Sequence, residues 1–206
     1  MLARTVAGML SDKYETEVKI KTFYIKPNFK VYAEDVQIND KKHYPMFYVG
    51  KLSAGISLRD ILQELRIRNL HIDDVLVNIV KYEGDDLTNV AEMFASDEKK
   101  EKNKDDFKMI YLDNLNVSGA HAIIWNQNKD KPEKNSMDYA HLDIDSINLI
   151  IRNMSFDGDE VKGYIDMLSG IDQCGFKIDS FSSKSMFVVS SQGIDFKNLE
   201  LKTHST

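Results

Sequence analysis

Cysteine, basic residues and long apolar runs are all scarce in this chain of 206 residues, and each scarcity excludes a class of protein. Cys174 is the only cysteine, so a framework of intrachain disulfides is excluded. No run of about 18 apolar residues occurs, and the sequence therefore contains no candidate transmembrane helix. The amino terminus also lacks the basic and then apolar order of a signal peptide.

Basic residues are outnumbered by acidic ones. The chain has 27 lysines and arginines against 33 aspartates and glutamates, which gives a formal net charge of -6. Binding to a nucleic-acid backbone requires clustered lysine and arginine side chains that neutralise phosphates. We therefore expect no nucleic acid among the partners of this protein.

Recognisable catalytic and metal-binding motifs are missing as well. The five histidines are dispersed and have no metal-site spacing. The chain has no glycine-rich phosphate loop, no G-x-S-x-G elbow and no cysteine–histidine nucleophile motif. Asp143 and Asp145 share one face of a predicted strand, where they could bind a cation or simply face solvent. We expect a protein that is not an enzyme and that has no metal site and no cofactor.

The sequence does contain a repeated motif of eight residues, which we call the phrase. Residues 65–72, LRIRNLHI, place apolar residues at positions one, three, six and eight around a small polar residue, Asn69. The phrase returns in residues 110–117 around Asn114 and in residues 194–201 around Asn198. Further copies are centred on Asp35, Ser146, Asn153 and, without the last apolar residue, Ser180. We call these central polar residues pivots.

Each phrase predicts a strand with one apolar face, because apolar residues alternate with others. The alternation changes phase at the pivot, since three positions separate Ile67 from Leu70. A one-residue bulge at the pivot would return both halves to the same face. Alternatively, each phrase is two short strands that meet at a turn. The apolar positions are candidate lipid-facing or core residues: Leu65, Ile67, Leu70, Ile72, Ile110, Leu112, Leu115, Val117, Phe196, Leu199 and Leu201.

The remaining pattern predicts the other elements. Helical spacing indicates an amphipathic helix over residues 2–14, with Leu2, Val6, Met9 and Leu10 on its apolar side, and short helices over 57–62 and 87–95. We expect residues 65–72 and 75–80 to form a hairpin. The chain is expected to comprise a first β segment with the amino-terminal helix (1–95), a mobile charged loop (96–106) and a second β segment that continues the same sheet (107–206).

The order of these phrases resembles a known family. The segments EVKI, DVQIND, YVGKLSAGISLRDILQELRIRNLHIDD and GDDLTNVAEMF are similar to the membrane-proximal part of the TamB proteins of Gram-negative bacteria, in the AsmA-like group. Residues 141–203 are similar to the version found in Bacteroidetes. Complete members also have an inner-membrane helix upstream and a long β-rich remainder, so we expect this chain to be a fragment of a longer one.

The resemblance implies a mainly β fold, an extended and strongly twisted antiparallel sheet curled into an open groove. It implies a periplasmic location, with anchoring to the inner membrane through flanking segments only. The implied function is transport of phospholipid between the two membranes, with acyl chains on the apolar groove floor. Alternatively, the chain is a scaffold that pairs strands with an outer-membrane barrel protein of the Omp85 type. A closed core between two sheets remains the alternative to a groove.

Overall fold

The computed structural model describes residues 2–56, 65–97, 110–130, 138–157, 160–190 and 193–203. Two helices lie in these ranges, α1 (Leu2–Tyr14) and α2 (Asn89–Asp97). The strands are, in chain order, β1 (Val18–Ile25), β2 (Lys30–Asn39), β3 (Pro45–Ile56), β4 (Leu65–Lys81), β5 (Ile110–Asn126), β6 (His141–Asp157), β7 (Glu160–Asp172), β8 (Lys177–Ser183), β9 (Phe187–Ser190), β10 (Gly193–Asp195) and β11 (Leu199–Thr203).

All eleven described strands belong to one sheet, which is not closed. Strands β1 to β8 follow one another in order, and β11 lies beside β8. β9 pairs with the other end of β7, and β10 pairs with β9, so β8 with β9 and β10 with β11 each form one interrupted ribbon. The sheet is thus nine ribbons wide. The expected mainly β, largely antiparallel sheet is confirmed.

One pair of strands departs from the expected antiparallel order. β4 and β5 are parallel, and their repeated phrases lie in register, with Ile67 beside Leu112 and Leu70 beside Leu115. A parallel neighbour requires a crossover, and α2 lies in the connection between the two strands. The pairing also places the segments before and after residues 96–106 in one sheet.

The predicted hairpin between residues 65–72 and 75–80 is wrong, because both belong to the single strand β4. Asp73 and Asp74 have the composition of a turn, but Asp74 adopts a left-handed backbone (φ 54°) within a continuous strand. The repeat at residues 110–117 likewise continues without interruption to residue 126, in the single strand β5.

The amino-terminal helix lies where the spacing predicts it. α1 ends in a Schellman arrangement, because Glu15 is left-handed (φ 52°) and the Thr16 amide donates to the Ser11 carbonyl at 3.3 Å. Of the four residues expected on its apolar side, Val6 and Leu10 are half-buried, whereas Leu2 and Met9 are exposed. The helix also buries Ala7 and contacts β1.

The other two predicted helices have different outcomes. α2 begins at Asn89 rather than at residue 87, because the Thr88 hydroxyl caps it by accepting the Ala91 amide at 3.2 Å. Leu87 lies before the helix and is exposed. The helix expected over residues 57–62 lies outside the described residues. The charged loop expected over 96–106 also lies outside them, apart from its first two residues, which end α2.

The strand register divides the sheet into two chemically different faces. Directly paired residues point to the same side of a sheet. Leu112 pairs with Ile67 on one side and with Met154 on the other, so three apolar side chains share a face. Arg66 and Asp113, one position away, form an ion pair on the opposite face. We call the side of Leu112 the apolar face and the opposite side the polar face.

Candidate functional site

An unbroken row of apolar side chains crosses all nine ribbons on the apolar face. Each member pairs directly with the next, so the row is a property of the register. We call it the central apolar row, and its members are, from β1 to β11, Phe23, Ala33, Leu52, Ile72, Val117, Leu149, Leu168, Phe181 and Leu201. Only Ala33 among them is buried. The row is therefore continuous but incompletely covered.

The predicted apolar positions all belong to ribbons that the central apolar row crosses, but they differ in burial. Leu112 is buried at 4% exposure, whereas Leu199 and Leu201 are exposed at 45% and 55%. The side chain of Leu65 lies outside the described residues. The half-buried positions are Ile67, Leu70, Ile72, Ile110, Leu115, Val117 and Phe196.

The polar face is held together by side-chain pairs. Arg152 donates from Nη2 to Asp166 Oδ1 at 2.6 Å, and this contact raises the pKa of the guanidinium. Asp143 accepts hydrogen bonds from Gln173 Nε2 and contacts His121 Nε2, each at 2.5 Å. Its oxygens are therefore already engaged by neighbouring side chains, which supports an outer polar face over the cation site considered from the sequence.

Five of the seven predicted pivots have a left-handed backbone. The φ angles are 49° at Asp35, 41° at Asn69, 54° at Ser146, 50° at Asn153 and 54° at Asn198. The first four lie inside continuous strands, and a register shift typical of a bulge accompanies Asn69, Ser146 and Asn153. At Asp35 the register with both neighbouring strands is unbroken, so the expected extra residue is not present there. Asn198 separates β10 from β11, so the alternative of two short strands is correct at that pivot.

The other two pivots, both in the described part of the chain, do not have a positive φ. The apolar residues before and after Asn114 nevertheless lie on the same face, because Leu112 and Leu115 both pair with apolar-face residues of β4. Ser180 lies where the registers of β8 with both of its neighbours shift. Its apolar flanks Ile178 and Phe181 are thereby returned to one face.

Two left-handed residues were missed from the sequence, Asp74 and Gly119 (φ 62°). Each follows a complete phrase, and each is bracketed by the same three-residue spacing that marks the pivots, as from Val117 to Ala120. That spacing was the available signal. It was obscured because Asp73 and Asp74 resemble a turn and Gly119 has no side chain.

Four left-handed residues, Asp35, Asp74, Gly119 and Ser146, line up across the sheet with Gly50 in what we call the first crease. The register places Asp35 opposite Gly50, Gly50 opposite Asp74, and Asp74 beside Gly119. Ser146 lies at the next register shift, in β6. A Cβ on Gly50 would lie 2.8 Å from Asp74 Cβ, so this crossing requires glycine.

A second crease runs parallel to the first on the other side of the central apolar row. It contains Asn69, Asn114, Asn153 and Asn198. The Asn114 side-chain amide donates to Asn69 Oδ1 at 3.0 Å, and the amide of Asn198 donates to Ser185 Oγ at 2.8 Å. Asn114 pairs with Arg152, the neighbour of Asn153. The short amides thus link the bulges of adjacent ribbons.

One end of the first crease is fixed by charge. Lys21 Nζ and the Tyr48 hydroxyl donate to the Asp35 carboxylate at 2.8 and 2.6 Å. These hydrogen bonds lower the pKa of Asp35 and raise the pKa of both Lys21 and Tyr48. The left-handed residue therefore has side-chain partners on both neighbouring strands, which hold Asp35 in this conformation.

The most enclosed part of the apolar face lies at its β6–β10 end. Ile151, Ile165 and Phe187 form a buried cluster, and half-buried neighbours including Leu115 and Phe196 pack against it. Ile151 and Phe187 approach each other across Gly163, where a Cβ would lie 3.2 and 3.1 Å from their side-chain atoms. Ile151 of β6 and Phe187 of β9 therefore pack over the backbone of Gly163, which lies in the strand between them.

The bulge geometry leads to a stability prediction for Asn153. Replacing Asn153 with valine is expected to lower the free energy of unfolding by about 1–2 kcal/mol, because a β-branched residue is disfavoured at positive φ. Asn153→Gly should be neutral or stabilising by the same reasoning. Urea denaturation measures both. The control is Asn116→Val on a regular part of β5, expected to change stability by less than about 0.5 kcal/mol. Equal losses at both sites would contradict the role assigned to the backbone of Asn153.

Three further observations bear on the class of protein. Neither described helix has the length and apolar character needed to span a bilayer. Within the described ranges, no three His, Cys, Asp or Glu side chains are grouped closely enough to share a metal ion. A scan against protein-family models and a search of the curated proteins each found no match to this chain.

Proposed function

We propose that the apolar face is the floor of an open trough that holds phospholipid acyl chains, in a non-enzymatic envelope protein of the TamB and AsmA-like type. The observation that carries this proposal is the central apolar row, which crosses every ribbon and is flanked by the first crease from β2 to β6 and by the second crease in β4, β5 and β6. No catalytic group is needed for such a function, because the protein only has to shield apolar chains from water during passage between membranes.

The creases supply the curvature. A left-handed residue or a bulge changes the direction of its strand, and such positions that line up from strand to strand would bend the sheet along one line. Two such lines, one on each side of the central apolar row, would bend the strands toward the apolar face about an axis perpendicular to them. Nine ribbons spaced about 4.8 Å apart give a floor about 38 Å long. One leaflet of a bilayer core is about 15 Å thick, so the floor exceeds the length of one acyl chain.

The energetic need for such a floor is large. Exposing a chain of roughly sixteen carbons to water costs about 12 kcal/mol at about 0.8 kcal/mol per methylene. A gap of one or two polar ribbons would therefore be a barrier to movement along the sheet. The row from Phe23 to Leu201 has no such gap.

Burial supports an open floor over a closed core. Side chains between two packed sheets are mostly buried, whereas Ile72, Val117 and Leu149 in the middle of the row are only half-buried. Among the described apolar-face residues, most keep this intermediate exposure. Single residues such as Ala33 and Leu112 are buried, and so is the cluster around Ile151, which would mark the narrowest point of the trough.

A second candidate function rests on the edge of the sheet. β11 lies at the end of the strand order, and its Leu199 and Leu201 are exposed. An edge strand can pair with a strand of another protein. In this alternative, the chain would be a scaffold that recruits an outer-membrane barrel protein of the Omp85 type, and the apolar side chains would cover the added strand.

Lipid extraction followed by mass spectrometry tests the proposal. Phospholipid is expected to co-purify with the 206-residue chain expressed in a Gram-negative host. Val117→Asp places a charge on the central apolar row and should reduce the bound lipid roughly tenfold or more, because a charge is costly beside an acyl chain. Asn116→Asp is the matched control on the polar face and should retain it. Val117→Thr, which keeps the side-chain shape, should give an intermediate loss without disturbing the fold.

Two outcomes would count against the trough. Lipid that is absent from the folded wild-type chain would contradict it directly. Equal lipid in Val117→Asp and Asn116→Asp would show that lipid binds elsewhere. Binding of a barrel-strand peptide that is abolished by Leu201→Pro, with no lipid bound, would instead favour the scaffold.

A further inference from the structure

The turn between β1 and β2 exposes an unusual group of apolar side chains. We call residues 24–32 the β1–β2 tip. Tyr24, Ile25 and Phe29 are exposed at 40%, 53% and 47%. Each is large enough to contribute to a core, yet all three project at the end of one hairpin. Exposed large apolar side chains that are grouped in this way mark interaction sites more often than scattered ones do.

Phe29 is also held in a strained backbone conformation. Its φ is 57°, a region that bulky residues rarely adopt. The turn has three loop residues, with Lys26 N donating to Lys30 O and Phe29 N donating to Lys26 O, each at 2.9 Å. In this kind of hairpin the third loop residue is left-handed and is normally glycine.

The same chain builds an equivalent turn with glycine. Between β7 and β8, Asp172 N donates to Phe176 O and Gly175 N donates to Asp172 O, and Gly175 is left-handed (φ 91°). Glycine at position 29 would thus relieve the strain without changing the turn. Because its ring is largely exposed, Phe29 recovers little of this cost by packing. A strained and exposed residue is better explained by function than by stability.

The charge of the tip differs from that of the rest of the chain. Residues 24–32, YIKPNFKVY, contain two lysines and no acidic residue, although the chain as a whole carries a net charge of -6. Lys26 Nζ lies 4.4 Å from the centre of the Tyr32 ring, which stacks on Tyr24 at 5.0 Å. In the β2–β3 turn, by contrast, Lys42 forms an ion pair with Asp85 at 2.6 Å.

We propose that the β1–β2 tip inserts into the headgroup region of an anionic phospholipid bilayer. Phe29 and Ile25 would enter the boundary between headgroups and acyl chains, Tyr24 and Tyr32 would lie at headgroup level, and the two lysines would contact phosphates. Aromatic and basic residues are favoured at this depth for these reasons. The contact is separate from the proposed trough and would be made by the chain itself, in addition to any flanking anchor.

Vesicle co-sedimentation of the 206-residue chain tests the tip. Vesicles with about one quarter phosphatidylglycerol in phosphatidylethanolamine supply the anionic surface, and phosphatidylcholine vesicles are the neutral comparison. Wild-type protein should bind the anionic vesicles more strongly, and binding should weaken with added salt. Phe29→Gly should weaken binding roughly tenfold, because a whole aromatic side chain is removed from the interface. Its melting temperature should stay the same or rise, because the strain is relieved.

The control is His43→Gly. His43 has a left-handed backbone (φ 66°) at the corresponding position of the β2–β3 turn, so glycine relieves the strain there in the same way. It should leave vesicle binding unchanged. A lower melting temperature in Phe29→Gly would show that the ring stabilises the fold and would overturn the proposal, as would unchanged vesicle binding. The trough has its own readout, since Val117→Asp should lose bound lipid and still sediment with vesicles. Failure of one proposal is therefore distinguishable from failure of the other.

Discussion

Replacing Phe187 with alanine is expected to lower the free energy of unfolding by about 3–5 kcal/mol. The ring is buried at 5% exposure and belongs to the cluster with Ile151 and Ile165. It also lies 5.9 Å from the ring of Phe196, which joins the last ribbon to the others. Because most of the apolar face is only half-buried, this cluster carries an unusually large share of the apolar burial. Urea denaturation measures the loss.

A substitution at Gly163 tests more specifically how the ring of Phe187 packs. A Cβ at this position would lie 3.1 Å from Phe187 Cε1, so Gly163→Ala alone is expected to destabilise the chain by about 1–2 kcal/mol. In the Phe187→Ala background the obstructing ring is gone, and the same change should cost less or become stabilising. The double-mutant cycle isolates this coupling. Additive effects, or a cost below about 1 kcal/mol for Phe187→Ala, would contradict the packing of Phe187 over Gly163.

The bulges could be predicted because their cause is local. When consecutive apolar residues are three positions apart instead of two, a strand has two choices. Either its alternation changes phase, or one of the two side chains lies on the polar face. Asn69 and Asn153 satisfy the first choice with a left-handed backbone, which asparagine tolerates better than most residues. The repeated phrase thus contained both the bend and the residue type that permits it.

The pairing of the strands could not be predicted in the same way. Nothing within residues 65–72 or 110–117 indicates whether they pair with their sequence neighbours or with each other, because both arrangements bury the same positions. The parallel register of β4 and β5 depends on a crossover of residues far apart in sequence. Alignment of Asp74 with Gly50 and Gly119 follows from that register, so the creases emerge only when the ribbons are assembled.

The candidate site, like the fold, could be predicted only in part. The sequence identified Ile72 and Val117 as members of an apolar face, but it could not distinguish a floor from a core, since both require the same residues. What distinguishes them is exposure, a property of the neighbours rather than of the strand. Leu2 and Met9 were misassigned for the same reason, because helical spacing gives the apolar side of α1 but not the side that meets β1.

Asp40 illustrates a residue whose importance sequence reasoning missed. It lies in the turn between β2 and β3, where aspartate is common for backbone reasons. Its side chain is in fact buried at 4% exposure and accepts hydrogen bonds from three parts of the chain. The donors are Lys42 N and Tyr44 N at 2.9 Å, the Tyr82 hydroxyl at 2.5 Å and Asn89 Nδ2 at 3.4 Å. The carboxylate thereby joins the β2–β3 turn, the end of β4 and the start of α2.

Asp40→Ala is therefore expected to destabilise the chain by about 3 kcal/mol or more, because several buried donors lose their acceptor together. Asp85→Ala removes only the ion pair with Lys42 and is the matched control, with an expected change below about 1 kcal/mol. Urea denaturation at neutral pH compares the two variants. Equal losses would show that Asp40 acts as an ordinary surface carboxylate.

The hydroxyl of Tyr82 adds a pH dependence to this prediction. Burial, reinforced by the hydrogen bond to Asp40, raises the pKa of Tyr82 well above its ordinary range. The folded state thus favours the protonated phenol, and this contribution is complete below the unfolded pKa of about 10 and is lost as the pH rises above it. As the pH is raised above about 10, where that loss begins, wild-type stability should fall more than that of Tyr82→Phe. Parallel falls in the two proteins would show that the phenol of Tyr82 is not held by Asp40.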